Sequence, residues 1–352
     1  MKLALDATYS LDRDLSGVGV YSREILHGLA LAHPDVPFLF CYRAHRFFKA
    51  LRTAVPGNVR HAIFGEAGYG RPWGPWSADL FHGLNQRLPR QRFRRAVATF
   101  HDLFVLTGDY STREFRERFA RQAREAAARA DLIITVSAFT ARQVEQLLGV
   151  EPSRLRVIHH GVRVAPAGRE TPREKIVLHV GAIQRRKNVS RAVKAFEEMP
   201  SDWRLVLAGA CGYGAEEILE QIEHSRRRAS IDVLGYVTDR QLADLYAKSS
   251  IFAFPSLDEG FGMPALDAMA SGVPVLAGNR SALPEVCGDA ALLVDPGDTA
   301  AIAEGLTRLA LDDDLRAQLS RRGHDRAREF TWKRAVEKTW DVYRELLGSR
   351  LA

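Results

Sequence analysis

The chain has 352 residues, of which 46% are hydrophobic and 26% are charged, and its formal net charge is +7. That length exceeds a typical single hydrophobic core, so we expect two domains, and the composition is that of a globular protein rather than a disordered one. No apolar run approaches the roughly 20 residues that cross a membrane, and the first residues are not typical of a secretory signal. Three scattered cysteines predict a reducing compartment, and therefore a cytoplasmic protein.

The first half of the chain alternates strand and helix patterns. Its predicted strands, in chain order, are KLALDAT, PFLFCY, ADLFH, AVATFHD, DLIITVS and RLRVIHHG. Such alternation is typical of a parallel sheet that is covered by helices on both faces. We therefore expect a doubly wound α/β domain over residues 1–165. It is followed by a predicted linker, APAGRETPRE (165–174), which is rich in proline, glycine and charge.

Two strand ends in this half carry candidate binding residues. The stretch LSGVGVYSREI (15–25) places Gly17 and Gly19 before a helix, but it lacks the third glycine of the dinucleotide-binding fingerprint. The stretch TFHDLF (99–104) places His101 where it can either bond a ligand hydroxyl or support the loop, and spacing alone does not separate these roles. His82 in LFHGLNQRLP is a similar case.

Arginine is concentrated in RQRFRR (90–95) and in a helical pattern at 113–130. One interpretation is a solvated helix face with spaced ion pairs. The other is a patch that binds anionic lipid headgroups or a phosphorylated partner. No helix-turn-helix, zinc-finger or RNA-binding signature accompanies the charge, so nucleic acid is not an expected partner.

The second half repeats the alternation more regularly. Helical patterns at 189–199, 215–229 and 239–249 separate predicted strands, which are IVLHVGA, WRLVLAG, IDVLGYV, IFAFPS, PVLAG and ALLVDP. We expect a second doubly wound domain over residues 172–329, with its ligand beyond the carboxyl ends of the strands. A last helical pattern at 331–348 places one apolar stripe on Val336, Trp340, Tyr343 and Leu347.

The stretch DEGFGMPALD (258–267) follows one of these strands. Pro264 suits the first turn of a helix that Gly272 then ends. Amides just before a helix bind oxyanions and hydroxyls, and here they belong to Gly260, Phe261, Gly262 and Met263. Glu259 and Asp267 add acceptors for sugar or ribose hydroxyls. The alternative is a tight turn in which Glu259 is a solvated charge.

The stretch VGAIQRRKN (180–188) places Gly181 at a strand end and a basic pair, Arg186 and Lys187, shortly after it. Arginine forks onto phosphate oxygens, and lysine adds a point charge. Adjacent side chains can serve one diphosphate only if they lie in a loop. The alternative is the basic start of a helix, which the helix dipole disfavours.

Taken in order, these motifs resemble the family-four retaining glycosyltransferases of the GT-B fold. The likeness covers SGVGVY, FHDLF, VSAFTARQV, VGAIQRRKN and the long segment from YVTDRQ to VDPGD, and so spans nearly the whole chain. It implies two Rossmann-like doubly wound domains that face a central cleft. The domain at 1–165 would bind the acceptor, with helix 331–348 packed back on it, and the domain at 172–329 would bind the nucleotide sugar.

The resemblance also implies roles for single residues, matched motif by motif. Glu259 contacts the hydroxyls of the donor sugar, while Asp267 takes the place of a second acid that binds the ribose. That second acid is usually glutamate, one methylene longer. Arg186 and Lys187 bind the diphosphate, and His101 lies beside the sugar's outer hydroxyl. The predicted catalytic residues are thus Glu259, Arg186, Lys187 and His101.

Further donor contacts are implied mainly through the main chain. They are Gly17, Gly19, Gly181, Tyr236, Val237, Gly260, Phe261, Gly262 and Met263, together with Asp267. Gly17 and Gly19 match the loop that closes over donor and acceptor, and Tyr236 and Val237 match the segment that holds the base. Besides Asp267, a second position departs from the family pattern, because Ala182 replaces a common arginine.

From this resemblance we expect a retaining hexosyltransferase. We expect it to need neither a metal nor another cofactor, since no Asp-x-Asp pair follows a predicted strand. The first expected donor is GDP-mannose, and the acceptor is a lipid-linked or free saccharide in bacterial polysaccharide or glycolipid synthesis. The alternatives are a UDP-sugar-dependent transferase of the same family, a GT-B-fold epimerase or phosphorylase, and a non-catalytic binding protein. The basic first half extends the expectation to peripheral contact with anionic membrane at the inner face of the plasma membrane.

Overall fold

The computed structural model describes residues 1–12, 14–64, 78–163 and 172–348. These residues form two compact units. The first unit comprises Met1–Thr107, Thr112–Gly161 and the chain from Thr331 onward, and the second comprises Gly108–Ser111 and Val162–Phe330. Most of the predicted linker at 165–174 lies outside the described residues.

The first unit is built on seven strands, which are β1 (Leu3–Asp6), β2 (Phe38–Arg43), β3 (Val59–Phe64), β4 (Leu80–Gly83), β5 (Ala96–Phe100), β6 (Leu132–Thr135) and β7 (Leu155–Val157). All pairs are parallel, in the order β3-β2-β1-β4-β5-β6-β7. The connecting helices are α1 (Gly17–Ala32), α2 (Ala44–Ala50), α3 (Phe104–Thr107), α4 (Arg113–Arg129) and α5 (Ala138–Leu148). Every residue of β5 and β6 is buried, as expected for inner strands covered on both faces.

The second unit repeats the plan with six strands, which are β8 (Glu174–Val180), β9 (Arg204–Ala208), β10 (Ile231–Gly235), β11 (Ser249–Phe254), β12 (Val275–Gly278) and β13 (Ala291–Val294). Their order is β10-β9-β8-β11-β12-β13, again all parallel. The helices are α6 (Val189–Phe196), α7 (Ala215–Glu223), α8 (Asp239–Lys248), α9 (Met263–Ala270), α10 (Leu283–Cys287), α11 (Thr299–Leu311) and α12 (Asp313–Ala327). One core cluster lies between this sheet and its helices and includes Phe196 and Trp203, each stabilising the fold by about 2 kcal/mol through burial.

The last helix, α13 (Trp332–Leu347), belongs to the first unit and packs on α1. A methyl group added at Gly28 of α1 would lie 2.4 Å from Cγ2 of Val336, so the two helices approach closely at this glycine. On the same stripe, the buried Tyr343 hydroxyl lies 2.6 Å from Nδ1 of His82. The stripe predicted at 331–348 therefore fills the core of the first unit.

The two sheets and their helices establish the α/β class that the sequence predicts, with two doubly wound parallel sheets. Among the residues that the structure describes, no helix is long and apolar enough to cross a membrane.

Candidate active site

The candidate site of the second unit lies where its sheet changes direction. From the neighbouring strands β8 and β11 the strand order runs outward in opposite senses, and loops that follow such a pair of strands form a binding crevice. Gly181 follows β8, and the segment 255–262 follows β11. The structure thereby brings the predicted diphosphate and sugar residues of this unit to one edge of the sheet.

The basic pair and Glu259 form one buried ion cluster. Arg186 and Lys187 lie in a short 3-10 helix, Arg185–Lys187, where their side chains converge on a single carboxylate. Nζ of Lys187 lies 2.6 Å from Oε1 of Glu259, and Nη1 of Arg186 lies 3.1 Å from Oε2. A methyl group added at Gly181 would be 3.4 Å from Cε of Lys187, so the end of β8 runs beside the lysine. The two cations can therefore hold one anion together.

Burial and charge act in opposite directions on the Glu259 carboxyl. Burial raises its pKa, but the positive charges of Lys187 and Arg186, together with the Lys187 hydrogen bond, lower the pKa to about 2. Glu259 is thus a charged acceptor at every physiological pH. The interpretation of Glu259 as a solvated charge is wrong, since the residue is only 5% exposed.

Main-chain contacts fix the loop that carries Glu259. Its amide donates to Oγ of Ser281 at 3.1 Å, and its carbonyl accepts from the amide of Ala282 at 3.2 Å. The side-chain amide of Asn188 donates to the carbonyls of Pro255 and Pro296, at 2.9 and 2.7 Å. Neither Asn188 nor Ser281 was predicted from the sequence. Asn188 adopts φ +59, a conformation that asparagine tolerates better than most residues, and its place directly after the basic pair is the signal that could have identified it.

The glycine-rich segment before α9 has the local structure that the sequence predicts. The helix begins at Met263 with Pro264 in its first turn, and Gly272 follows its end with φ +67. Gly262 adopts φ +103, and an added Cβ would lie 2.6 Å from Cδ2 of Leu283, so only glycine fits. Gly260 and Phe261 are buried just before it, and the Phe261 ring packs edge-on against Phe330 at 5.8 Å.

Asp267 lies one turn into α9 and is 2% exposed. Its Oδ1 accepts a hydrogen bond from the backbone amide of Arg163 at 2.7 Å, so one carboxylate oxygen holds the chain near the start of the second unit. Tyr236 and Val237 follow β10, with Tyr236 46% exposed. The ribose role of Asp267 and the base contacts of Tyr236 and Val237 stay predictions.

His179 is a third residue that was not predicted from the sequence. It lies in β8, is fully buried, and donates from Nδ1 to the carbonyl of Ala253 at 2.9 Å, while Nε2 has no hydrogen-bond partner. Burial lowers its pKa to about 4, so the ring is neutral. A histidine within the otherwise apolar run IVLHVGA is the signal that could have drawn attention to it.

In the first unit, Gly17 and Gly19 lie inside the first turn of α1 and not before it, which corrects the expectation of a loop. Ser16 caps the helix, and its Oγ accepts from the amide of Gly19 at 3.3 Å. A Cβ at Gly19 would lie 2.9 Å from the carbonyl oxygen of Tyr9, so close backbone approach explains this glycine. Because Ser16 is the cap, the helix begins at Gly17 and contains both glycines.

The two histidines of the first unit differ. Both ring nitrogens of His82 are engaged, by Tyr343 at 2.6 Å and by Thr99 at 2.8 Å, so His82 is a core residue. His101 has Nε2 at 3.0 Å from the carbonyl of Leu84, which identifies Nε2 as the protonated nitrogen and Nδ1 as an acceptor. Burial lowers the pKa of His101 to about 4, against a smaller opposing effect of that hydrogen bond. A neutral acceptor at Nδ1 suits a ligand hydroxyl.

In the described ranges, no group of three or more His, Cys, Asp or Glu residues is placed to hold a metal ion. At the sheet edge of the second unit, Glu259 is paired instead with the two cations Arg186 and Lys187.

Comparison with known proteins decides the family. The sequence profile described as "Glycosyltransferase Family 4" matches residues 15–165, and that described as "Glycosyl transferases group 1" matches residues 165–326. The O-antigen chain mannosyltransferase B of Escherichia coli is 32% identical over 288 residues, which cover 76% of this chain and 74% of that protein. The chain belongs to glycosyltransferase family 4.

Solved structures show the fold of this family-4 glycosyltransferase. Sucrose-phosphate synthase (tll1590) from Thermosynechococcus elongatus has a TM-score of 0.81 at 20% identity, over 99% of this chain and 100% of that chain. The HepE protein of Anabaena, solved with UDP and glucose, has a TM-score of 0.74 at 19% identity, over 97% and 98% of the two chains. The predicted GT-B fold and membership of this enzyme family are thus confirmed.

Proposed function

We propose that this family-4 glycosyltransferase transfers a hexose from a nucleotide sugar, with retention of configuration and without a metal ion. The observation that carries the proposal is the convergence of Arg186 and Lys187 on one carboxylate, at 3.1 and 2.6 Å. Two buried cations that share one anion match the oxygens of a diphosphate better than those of a neutral ligand.

The chemistry follows from these charges. When the bond between the anomeric carbon and the diphosphate oxygen breaks, negative charge grows on that oxygen, and Arg186, Lys187 and the amides before α9 stabilise it. Glu259, ionised at every physiological pH, accepts a hydrogen bond from a sugar hydroxyl. The acceptor oxygen then bonds to the anomeric carbon on the face that the diphosphate leaves, and its proton passes to a diphosphate oxygen.

GDP-mannose is the first donor that we propose, with a lipid-linked or free saccharide of bacterial polysaccharide or glycolipid synthesis as acceptor. This choice draws on the name of the mannosyltransferase relative from Escherichia coli, which is 32% identical to this chain. A UDP-sugar is the second candidate, because the HepE structure with a TM-score of 0.74 was solved with UDP.

A panel of sugar nucleotides tests the proposal. We expect one of GDP-mannose, GDP-fucose, UDP-glucose, UDP-galactose or ADP-glucose to raise the melting temperature, and the same donor to be transferred to an acceptor or slowly hydrolysed. Magnesium chelation should leave the rate unchanged, and the product anomer should keep the donor's configuration by NMR. Turnover of none of the five donors contradicts the proposal, and an inverted product contradicts retention.

The basic pair supplies the matched variants for this test. Arg186→Ala and Lys187→Ala should each remove roughly 2–4 kcal/mol of transition-state stabilisation, seen as a loss of about 30- to 900-fold in kcat/KM. Arg185→Ala is the control, because Arg185 lies in the same 3-10 helix but pairs with the exposed Glu217. If all three variants turn over donor equally well, the pair does not serve the diphosphate.

A further inference from the structure

Glu259 is the internal counter-ion of the two cations that the proposed function gives to the diphosphate. Its carboxylate oxygens lie 2.6 Å from Nζ of Lys187 and 3.1 Å from Nη1 of Arg186, and its side chain is only 7% exposed. Water screens such a buried pair far less than a surface pair. Any anion that binds Arg186 and Lys187 therefore competes with, or is repelled by, a carboxylate already in place.

The intact donor and the free nucleoside diphosphate differ in charge and in the hydroxyl groups that they offer to this carboxylate. A sugar diphosphate ester carries about two negative charges, while a free nucleoside diphosphate gains part of a third near neutral pH, because a terminal phosphate has a second pKa of about 6. The donor also offers sugar hydroxyls, which can donate hydrogen bonds to a carboxylate. The free nucleotide has lost the hexose and with it these hydroxyls, so nothing beyond its terminal phosphate offsets the repulsion from the carboxylate.

We propose that Glu259 sets the preference of this site for the intact nucleotide sugar over the free nucleoside diphosphate, by competing as an anion for Arg186 and Lys187. The inference rests on the proposed function, because it takes the basic pair as the diphosphate site. Glu259 then has two partners in turn: the sugar hydroxyls while donor is bound, and the two cations once the sugar has left. The return of the carboxylate to its cations favours release of the product.

Three variants separate this charge effect from a packing effect. Glu259→Gln keeps the size of the side chain and removes its charge, whereas Glu259→Asp keeps the charge. The control is Glu217→Gln, which neutralises a carboxylate 2.6 Å from Nη2 of Arg185, in the same 3-10 helix, with a side chain 68% exposed. The probes are inorganic pyrophosphate, UDP and GDP, measured by calorimetry, with the sugar nucleotide that the enzyme turns over as the fourth ligand.

We expect Glu259→Gln to bind the preferred nucleoside diphosphate and pyrophosphate about tenfold more tightly than the parent, and the sugar nucleotide more weakly. Glu259→Asp and Glu217→Gln should stay within about threefold of the parent for pyrophosphate. In turnover, the product should become a correspondingly stronger inhibitor of Glu259→Gln. An unchanged or weaker affinity of Glu259→Gln for pyrophosphate and both nucleotides overturns the inference.

Thermal denaturation gives a second measurement, because loss of the carboxylate leaves two buried cations less well compensated. The melting temperature of Glu259→Gln should fall, and pyrophosphate should raise it by more than it raises that of the parent. An equal or smaller rise counts against the inference. If the parent transfers sugar while Glu259→Gln gains no affinity, only this inference fails; if the parent neither binds a probe nor uses any sugar nucleotide, the proposed function fails with it.

Discussion

At the scale of single residues, burial decides how much each ion pair contributes. Arg113 and Glu117 form an i,i+4 pair on α4 at 2.9 Å, but their side chains are 82% and 62% exposed, so water and salt leave it worth well under 1 kcal/mol. Glu259 is held by two cations with almost no exposed surface. The same type of contact therefore contributes little on α4, whereas in the candidate site it lowers the pKa of Glu259 despite burial and keeps the carboxyl ionised.

The pH dependence of stability follows from the depressed pKa of Glu259. An ordinary glutamate with a pKa of 4.5 is shifted in the folded protein to about 2. A depressed carboxylate pKa stabilises the fold above pH 4.5, and this stabilisation is lost as the pH falls toward 2. We expect the free energy of unfolding of the parent, relative to Glu259→Gln, to fall by about 2 kcal/mol between pH 6 and pH 3.

Urea denaturation of both proteins across this pH range checks the prediction. Glu217→Gln serves as the control. Because Glu217 is exposed, the difference in free energy of unfolding between the parent and this variant should change little with pH. A parent-to-variant difference that stays constant from pH 6 to pH 3 would show that the ion cluster does not stabilise the fold.

At the scale of elements, the turn from β11 into α9 depends on one backbone conformation. Gly262 has φ +103, where other residues are strained, and an added Cβ would meet Leu283 at 2.6 Å. We expect Gly262→Ala to cost roughly 1–3 kcal/mol of stability and to lower kcat/KM, because it displaces the amides before α9. Gly57→Ala is the matched control, since a Cβ there meets nothing within 4 Å. Thermal melts of the two variants test this prediction. Gly262→Ala should melt at a lower temperature than Gly57→Ala, and equal melting temperatures would contradict the prediction.

The elements that the sequence predicts well are those whose residues are buried on both faces, such as β5, β6 and β11. Strand β3 was not predicted, because it is an edge strand in which Arg60 and His61 interrupt the apolar run. Predicted helices at 189–199 and 215–229 were too long. In the structure, α6 ends at Phe196 and α7 ends at Glu223. Turns follow both helices, and the main-chain contacts that form these turns cannot be read from a sequence.

The candidate site was predictable to a similar degree. The proximity of Glu259 to the basic pair could be predicted, because strand ends are recognisable in a sequence and the sheet order is common to doubly wound folds. The ion pairs between these residues could not be predicted, because they join side chains about 70 positions apart in the sequence. The same is true of the hydrogen bonds of Asn188 and Ser281, which connect separate loops. Spacing along the chain carries no such information.

At the scale of the whole molecule, the net charge of +7 is unevenly distributed, and α4 exposes several arginines. We predict that the protein binds vesicles containing anionic lipid through this charge, with each arginine near the surface worth about 1 kcal/mol and the attraction fading as salt rises. Vesicle flotation with and without phosphatidylglycerol, at low and high salt, measures this effect.

Two pairs of variants localise that binding. Arg121→Glu combined with Arg124→Glu reverses charge on exposed positions of α4, and Arg308→Glu combined with Arg321→Glu makes the same change on exposed positions of the second unit. We expect the first pair to abolish flotation and the second to weaken it much less. Flotation that ignores lipid charge and salt would leave a freely diffusing acceptor as the better hypothesis.

The placement of α13 has a consequence for how the protein is made. A ribosome produces this helix only after the whole second unit, yet Val336 and Tyr343 complete the core of the first unit. While the second unit emerges and folds, the first unit still has an open apolar surface around Gly28, and His82 still lacks its hydroxyl partner. The first unit therefore cannot complete its core until the whole of the second unit has been synthesised, although domains usually fold in amino-to-carboxyl order.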